Sequence, residues 1–373
     1  MASRYESKFL HPPVYGSPRV RLGSSQPENH DLLEVAERLI AAFGAASPRH
    51  IADEQSLWSI LEGSNHASLI EILRRRDAIT LDKYFQNIFK ESVLFGIDQS
   101  RDQASFVRAD EGPGEPYATH FTDGIVRLAE AFGLLPVENP EQGRWGENLY
   151  IDPDLLLDNI QQFLGVDLRP PEIAEGRLGV ATKHGLFAFR DISAIYTAYR
   201  LKRILADYGG TSVCEIGGGL GKVAYYAHLM GITDYTIIDL PQVNALQAFY
   251  LMRALTGDSV VLFGEPEHGE SVKLYPDWRF AELPDRHFDL ILNQDSMPEL
   301  GYATSTSYLK LIKNKSRRLF LSINQESENV MTAQGDKQEA VFRLVQRVGG
   351  YKSVYRFPFW LRNGYTEELY DVL

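Results

Sequence analysis

The sequence predicts an α/β fold: a parallel sheet with helices on both faces, a terminal antiparallel hairpin, and a mostly helical region before it. Three observations lead there. From residue 212 onward, short apolar runs that suit strands alternate with stretches of helical periodicity. A glycine-rich turn, Gly217-Gly218-Gly219-Leu220-Gly221, sits where a strand-like run hands over to a helix-like one. The last two strand-like runs, 351–357 and 367–373, flank Pro358–Gly364 with no helix between them, which predicts antiparallel pairing.

Bulk composition narrows the function class. At 373 residues the chain is long enough for two domains, and 44 % hydrophobic with 24 % charged residues is ordinary for a globular protein. No apolar run approaches the roughly 18 residues of a membrane-spanning helix, and the first residues lack the apolar centre of a signal peptide. Cys214 is the single cysteine, so no internal disulfide forms, and a reducing cytoplasm is the expected location. A net charge of −12 argues against nucleic acid or an anionic membrane as the main partner.

Along the chain, residues 1–30 are rich in Pro, Ser, Gly and Arg and read as an arm. Leu32, Leu33, Val35, Ala36, Leu39 and Ile40 give helical spacing over 31–45, with Asp31 as its cap. Further helical patterns cover 67–96, 119–133 and 153–164, broken around Pro113–Pro116, Pro136, Pro140 and Gly143. The pattern changes near Gly176. Residues 177–190 read as a short hairpin, and Asp191 as the cap of an amphipathic helix ended by Gly209-Gly210. The expected division is an arm (1–30), a helical lid, acceptor-pocket and candidate homodimer region (31–175), and the α/β domain (176–373).

The chemistry centres on the glycine turn. Small residues let the backbone approach a ligand closely, and the helix starting near Lys222 points its N-terminus at that ligand. A buried strand, Val213-Cys214, precedes the turn. Asp239 lies 22 residues after Gly217, at the end of the next strand, where an acid can accept bonds from both ribose hydroxyls. Leu240 beside it joins the cofactor set, and Pro241 opens the following helix. A nicotinamide-dinucleotide oxidoreductase uses a similar device and is the main rival at this level. A glycine turn that only tightens strand–helix packing is the structural alternative.

Further along, Tyr275-Pro276-Asp277-Trp278 and Phe288-Asp289-Leu290-Ile291-Leu292-Asn293 resemble the third- and fourth-strand motifs of class I S-adenosylmethionine (SAM) methyltransferases. The run Asp191–Arg203, then Cys-Glu-Ile-Gly-Gly-Gly-Leu-Gly, Tyr-Thr-Ile-Ile-Asp-Leu-Pro-Gln-Val and Asn-Gln-Asp-Ser-Met-Pro-Glu, is similar to the sugar O-methyltransferase family of bacterial biosynthetic clusters. The likeness covers about residues 175–330. It implies a Rossmann-like, seven-stranded class I methyltransferase sheet with a terminal antiparallel hairpin, SAM as donor, and a small-molecule acceptor. Glu215 matches the acid that methyltransferases place near the methionine end of SAM, where a nicotinamide enzyme normally has an apolar residue. On the same likeness Gly217, Gly219 and Asp239 hold the cofactor. Asp277 accepts the adenine amine, Trp278 offers a stacking face, and Asn293 sits at the fourth-strand tip. Residues 259–265 compete with 272–278 for the place of the third strand.

A sugar hydroxyl loses its proton during transfer, so a general base is expected. Asp295 is the first candidate and Glu299 the second, both after the fourth strand. His184, in the hairpin before the fold, is a third. Asp295, Glu299 and Glu326 are candidate acceptor-binding residues, each as often a loop or helix cap. Residues 265–299 hold nine acids against three bases, which would suit a cationic acceptor and makes N-methylation of an arginine-like molecule the second reading. A methyltransferase-like scaffold without catalysis is a further alternative. Cysteine is scarce and no ligand spacing is evident, so no metal is expected.

Overall fold

The computed structural model describes residues 22–25, 33–51, 57–99, 114–139, 141–143, 146–255, 257–328 and 338–373. The N-terminal arm apart from 22–25, and the proposed cap Asp31, lie outside them. The chain forms two compact units, one of residues 1–28, 87–199 and 360–363, the other of residues 29–86, 200–359 and 364–373. Packing thus groups the chain differently from the sequence boundaries at 30 and 175. Helices α1 (Leu33–Ala46), α2 (Leu57–Gly63), α3 (Ala67–Arg75) and α4 (Ala78–Gln86) fall with the large sheet.

In the first unit, β1 (Leu22–Ser24) pairs antiparallel with β2 (Leu178–Thr182), which pairs with β3 (Gly185–Phe187). Part of the expected arm is therefore a strand. Helix α5 (Gly114–Ala131) is buried on every side from Phe121 to Glu130. Its buried charges are paired within the unit: Arg127 Nε lies 2.7 Å from Asp123, and Asn148 donates to Glu130 at 3.0 Å. Helix α6 (Pro153–Leu164) begins as the sequence implies, with Asp152 accepting the backbone N–H of Asp154 and Pro153 in the first turn.

Helix α7 (Phe189–Tyr208) begins two residues before Asp191, so Asp191 is not its cap. The wholly buried Asp191 carboxylate instead accepts the Ala188 N–H and pairs with the Arg177 guanidinium. Gly209 ends the helix at φ 74, as its sequence predicts.

The second unit is built on an eight-stranded sheet ordered β10-β11-β9-β8-β4-β5-β7-β6. Its strands are β4 (Ser212–Ile216), β5 (Asp234–Asp239), β6 (Val260–Leu262), β7 (Val272–Pro276), β8 (Phe288–Gln294), β9 (Ser316–Gln325), β10 (Tyr351–Pro358) and β11 (Tyr365–Val372). All run parallel except β11, which is antiparallel to both its neighbours and so forms the expected hairpin. The count exceeds the expected seven by the short edge strand β6. Because β7 pairs directly with β5, residues 272–276 are the third strand and 260–262 lie outside them.

Helices α8 (Lys222–Leu229), α9 (Pro241–Ala254), α10 (Arg279–Glu282), α11 (Tyr302–Lys315) and α12 (Val341–Val348) complete the unit. Helices α2 and α11 are additional to those the sequence predicts. One apolar cluster joins the sheet to its cover through Cys214, Ile238, Ile291, Phe320, Leu344 and Tyr370. On the other side α1 packs along α9, and Phe85 of α4 stacks on Phe249 at 4.5 Å. No described helix is long and apolar enough to cross a membrane.

The Arg177–Asp191 pair gives a direct test. Asp191→Ala leaves a buried guanidinium without its counter-charge and should cost about 3–5 kcal/mol in urea denaturation, whereas an exposed acid such as Glu71 should cost almost nothing.

Candidate cofactor and active site

Parallel register brings the carboxyl ends of β4, β5, β7, β8 and β9 to one edge. Ile216 pairs with Ile238 and Asn293, Asp239 with Pro276, and Gln294 with Ile323. The chain steps outward from β4 to β5 and β7, then returns to β8 on the other side. Such a reversal opens a crevice at the strand ends, and the glycine turn lies there, after β4.

Two glycines in that turn are fixed by crowding. Gly217 has φ 74, and a Cβ on it would lie 2.3 Å from Ser296 Oγ. A Cβ on Gly218 would meet Ile237 at 2.7 Å. Gly219 shares the left-handed backbone at φ 57. The turn is anchored by Gly217 N–H donating to the Ile238 carbonyl at 3.0 Å. It remains partly exposed, which leaves its backbone accessible to a ligand.

Two carboxyls lie against this turn. Glu215 is buried and accepts the Tyr235 hydroxyl at 2.8 Å. Burial pushes its pKa up to about 7, helped by the nearby Asp239 and opposed by the Tyr235 bond. Asp239 accepts the Leu240 N–H at 2.9 Å and the Gln247 amide at 2.7 Å. Burial pushes it up to about 7 as well, against those bonds and one from the Gly218 N–H. Gln247 also donates to the Gly219 carbonyl at 3.1 Å, so one buried amide ties the acid to the turn. Tyr235 and Gln247 were missed in the sequence. Their signals were present: Tyr235 precedes Asp239 on the same strand, and Gln247 lies two turns into the following helix.

The other expected cofactor residues divide. Asp277 stands one position beyond the strand end paired with Asp239, and its charge is felt there. One face of Trp278 is taken: the Arg49 guanidinium lies 3.8 Å from its ring centroid, and its indole N–H donates to the Ala46 carbonyl at 3.1 Å. Asn293 has no exposed surface. Its amide nitrogen donates to the Ile216 carbonyl and to Ser296 Oγ, while its oxygen accepts from Asn324 at 3.0 Å. It locks three strand tips beneath Gly217 and has no surface left for a cofactor.

At the tip of β8, Asp295 takes the left-handed conformation, φ 59, which is uncommon for a residue other than glycine. Its N–H donates to the Ile323 carbonyl at 3.0 Å, and its carboxylate accepts the Tyr365 hydroxyl from β11. Glu299 is half-buried at the end of the short turn Met297–Glu299. Glu326 is spent on Arg356, at 2.6 and 2.8 Å. His184 belongs to the first unit, where Asp158 contacts Nε2 at 2.7 Å and Gln161 contacts Nδ1 at 3.1 Å.

The acidic stretch 265–299 meets cations from elsewhere in the chain. Glu265 pairs with Arg38, Glu282 with Arg49, Asp285 with Lys315 and Asp289 with Arg317, while Asp277 meets His50. Its excess of negative charge is therefore largely answered within the fold. Among the described residues, no group of three or more His, Cys, Asp or Glu side chains is placed to hold a metal ion.

Leaving β6 aside, the other seven strands form the Rossmann-like sheet of the class I methyltransferases, with one antiparallel strand next to the last at its edge. No protein-family model matches the sequence, and no curated protein sequence matches it. Solved structures do match in fold. Magnesium protoporphyrin IX methyltransferase from Synechocystis PCC 6803, with bound SAM, is 14 % identical at TM-score 0.37, over 49 % of this chain and 81 % of that one. The 1,6-didemethyltoxoflavin N1-methyltransferase of Burkholderia thailandensis, with bound 1,6-didemethyltoxoflavin and S-adenosylhomocysteine, is 17 % identical at TM-score 0.33, over 52 % of this chain and 95 % of that one. The fold assignment rests on the strand order itself, and what those proteins bind stays with them.

The buried Glu215 carboxyl makes stability depend on pH. Its folded pKa, about 7, lies above the ordinary 4.5, so its contribution to stability is full in acid and is lost as pH rises toward and through 7. Glu215→Gln removes that loss while keeping an acceptor for Tyr235. It should therefore gain on the order of 2 kcal/mol over wild type at pH 8 and almost nothing at pH 4.5, read by denaturant titration at both pH values.

Proposed function

We propose that this chain transfers a methyl group from SAM to a hydroxyl of a small molecule, a sugar or glycosylated metabolite in a biosynthetic pathway. The observation that carries the reading is the convergence at one sheet edge of the glycine turn, the Asp239 carboxyl and the Asp295 carboxylate, in a class I strand order. The residues fit the cofactor. Asp239 is fixed by the turn and the helix that follow it, in the place where an acid takes the two ribose hydroxyls. The partly exposed turn offers backbone to the methionine portion, with Glu215 behind it.

SAM brings a methyl group already activated on a sulfonium, so the protein's main tasks are alignment and exclusion of water. Asp295 is the assigned base: it would accept the proton of the acceptor's hydroxyl as that oxygen takes the methyl group, with S-adenosylhomocysteine as the leaving product. Tyr365 holds that carboxylate in one orientation, and the left-handed backbone turns it out of the strand. Both ring nitrogens of His184 are engaged by Asp158 and Gln161, which favours Asp295 over it. The pairing of Glu265, Glu282, Asp285 and Asp289 with Arg38, Arg49, Lys315 and Arg317 reduces the support that local charge lent to a guanidine acceptor.

Incubation with methyl-labelled SAM and a panel of nucleotide sugars, glycosides, amino acids and arginine tests the reading. Label should pass to a hydroxyl acceptor, and transfer to arginine alone would reject the O-methyl assignment. Asp295→Asn should lower kcat by about 10²–10⁴-fold while Kd for SAM changes less than about twofold, measured by single turnover and calorimetry. SAM affinity should also rise as pH increases through about 7, because the charged form of Asp239 is the better acceptor for ribose hydroxyls. A flat profile from pH 5.5 to 8.5 would remove Asp239 from that role.

A further inference from the structure

The end of α1 docks onto the loop after β7 by contacts far apart in sequence. Trp278 donates to the Ala46 carbonyl at 3.1 Å, and Arg49 covers the Trp278 ring at 3.8 Å. Arg49 also pairs with Glu282. His50 completes the set: Nδ1 lies 3.1 Å from each oxygen of Asp277, and Nε2 lies 3.0 Å from Glu62. The Gln242 amide, in the first turn of α9, donates to the same Glu62 oxygen at 2.6 Å.

A chain of polar contacts thus runs Asp277–His50–Glu62–Gln242. It spans from the tip of β7 to the helix that opens beyond Asp239. An imidazole facing a carboxylate at each nitrogen must donate from both, which requires the imidazolium. Burial opposes that charge, but the two carboxylates outweigh it and the His50 pKa is pushed up to about 9. The side chains of His50, Glu62 and Asp277 are only 13 %, 17 % and 21 % exposed, so water weakens these contacts little.

We propose that His50 is a positioning residue of the cofactor site, holding the Asp277 carboxylate where it accepts the adenine amino group and fastening residues 33–51 and 57–63 to the site as part of its wall. The inference rests on the SAM reading above. A lone carboxylate on a loop can turn away from its ligand. One held through both oxygens by an imidazolium, itself braced by Glu62, stays fixed beside the strand tip where Asp239 marks the ribose. The N-terminal helices then contribute to cofactor selection as well as covering the sheet.

Calorimetry with S-adenosylhomocysteine, and with its analogue in which hydrogen replaces the adenine amino group, tests this on the full chain. Wild type should prefer the adenine compound by about tenfold or more, as expected for one hydrogen bond to a charged acceptor. His50→Gln should lose most of that preference and Glu62→Gln part of it. Adding His50→Gln to Asp277→Asn should reduce it no further. Should His50→Gln fail to fold, as judged by circular dichroism, Glu62→Gln decides by the same measure. If the folded variants bind both compounds more weakly but keep the wild-type preference, His50 is only a clasp and the proposal is overturned. A wild type that binds both compounds equally also overturns it. Failure of wild type to bind either would instead strike the SAM reading.

Discussion

A side chain at position 217 would collide with Ser296, and one at 218 with Ile237; the sheet edge is assembled around that restriction. Only glycine lets β4 turn back at φ 74 while the tip of β8 presses up beneath it. Everything polar at the edge follows from this close approach. Asn293 and Ser296 tie the turn's floor to β8, Asn324 extends the tie to β9, and Gln247 joins the turn to Asp239. The result is a rigid frame that needs no ligand contact from Asn293.

Rigidity here has an electrostatic cost. Buried Glu215 and half-buried Asp239 lie close together, and each is pushed up to about 7. Glu215 is held by a hydroxyl and Asp239 by amides. Such an arrangement destabilises the charged form of the protein and at the same time readies two acceptors at a crevice. The acids of 265–299 follow the opposite logic. Arginine and lysine side chains from α1, the turn after it, the end of α11 and the start of β9 answer four of them, Glu265, Glu282, Asp285 and Asp289, which therefore serve the fold.

The sheet and the cofactor-type turn were legible from local chemistry. Strand-forming runs, the glycine pattern, Asp239 followed by Pro241, and a hairpin around Pro358–Gly364 are all signals that neighbouring residues impose on one another. The edge strand β6 is three residues, Val-Val-Leu, too short to rank against β7 without knowing which one pairs with β5. Helix α5 starts at Gly114, ahead of the expected 119, because Pro116 reads as a break in sequence yet is tolerated in a first helical turn. Asp191 looked like a cap because an acid before an apolar run usually is one; a buried Arg177 gave it another task.

The sequence by itself determined the α/β class, the order of its elements and the residues at the glycine turn, because backbone preference and apolar period act over a few residues at a time. The tertiary structure alone decided the use of each polar side chain. Asn293 became a lock, Trp278 a seat for Arg49, Glu326 a partner for Arg356, and His50 a bridge from the N-terminal helices to Asp277. Those outcomes depend on charges and donors brought from distant positions, 227 residues apart for His50 and Asp277, and no local pattern encodes such a meeting.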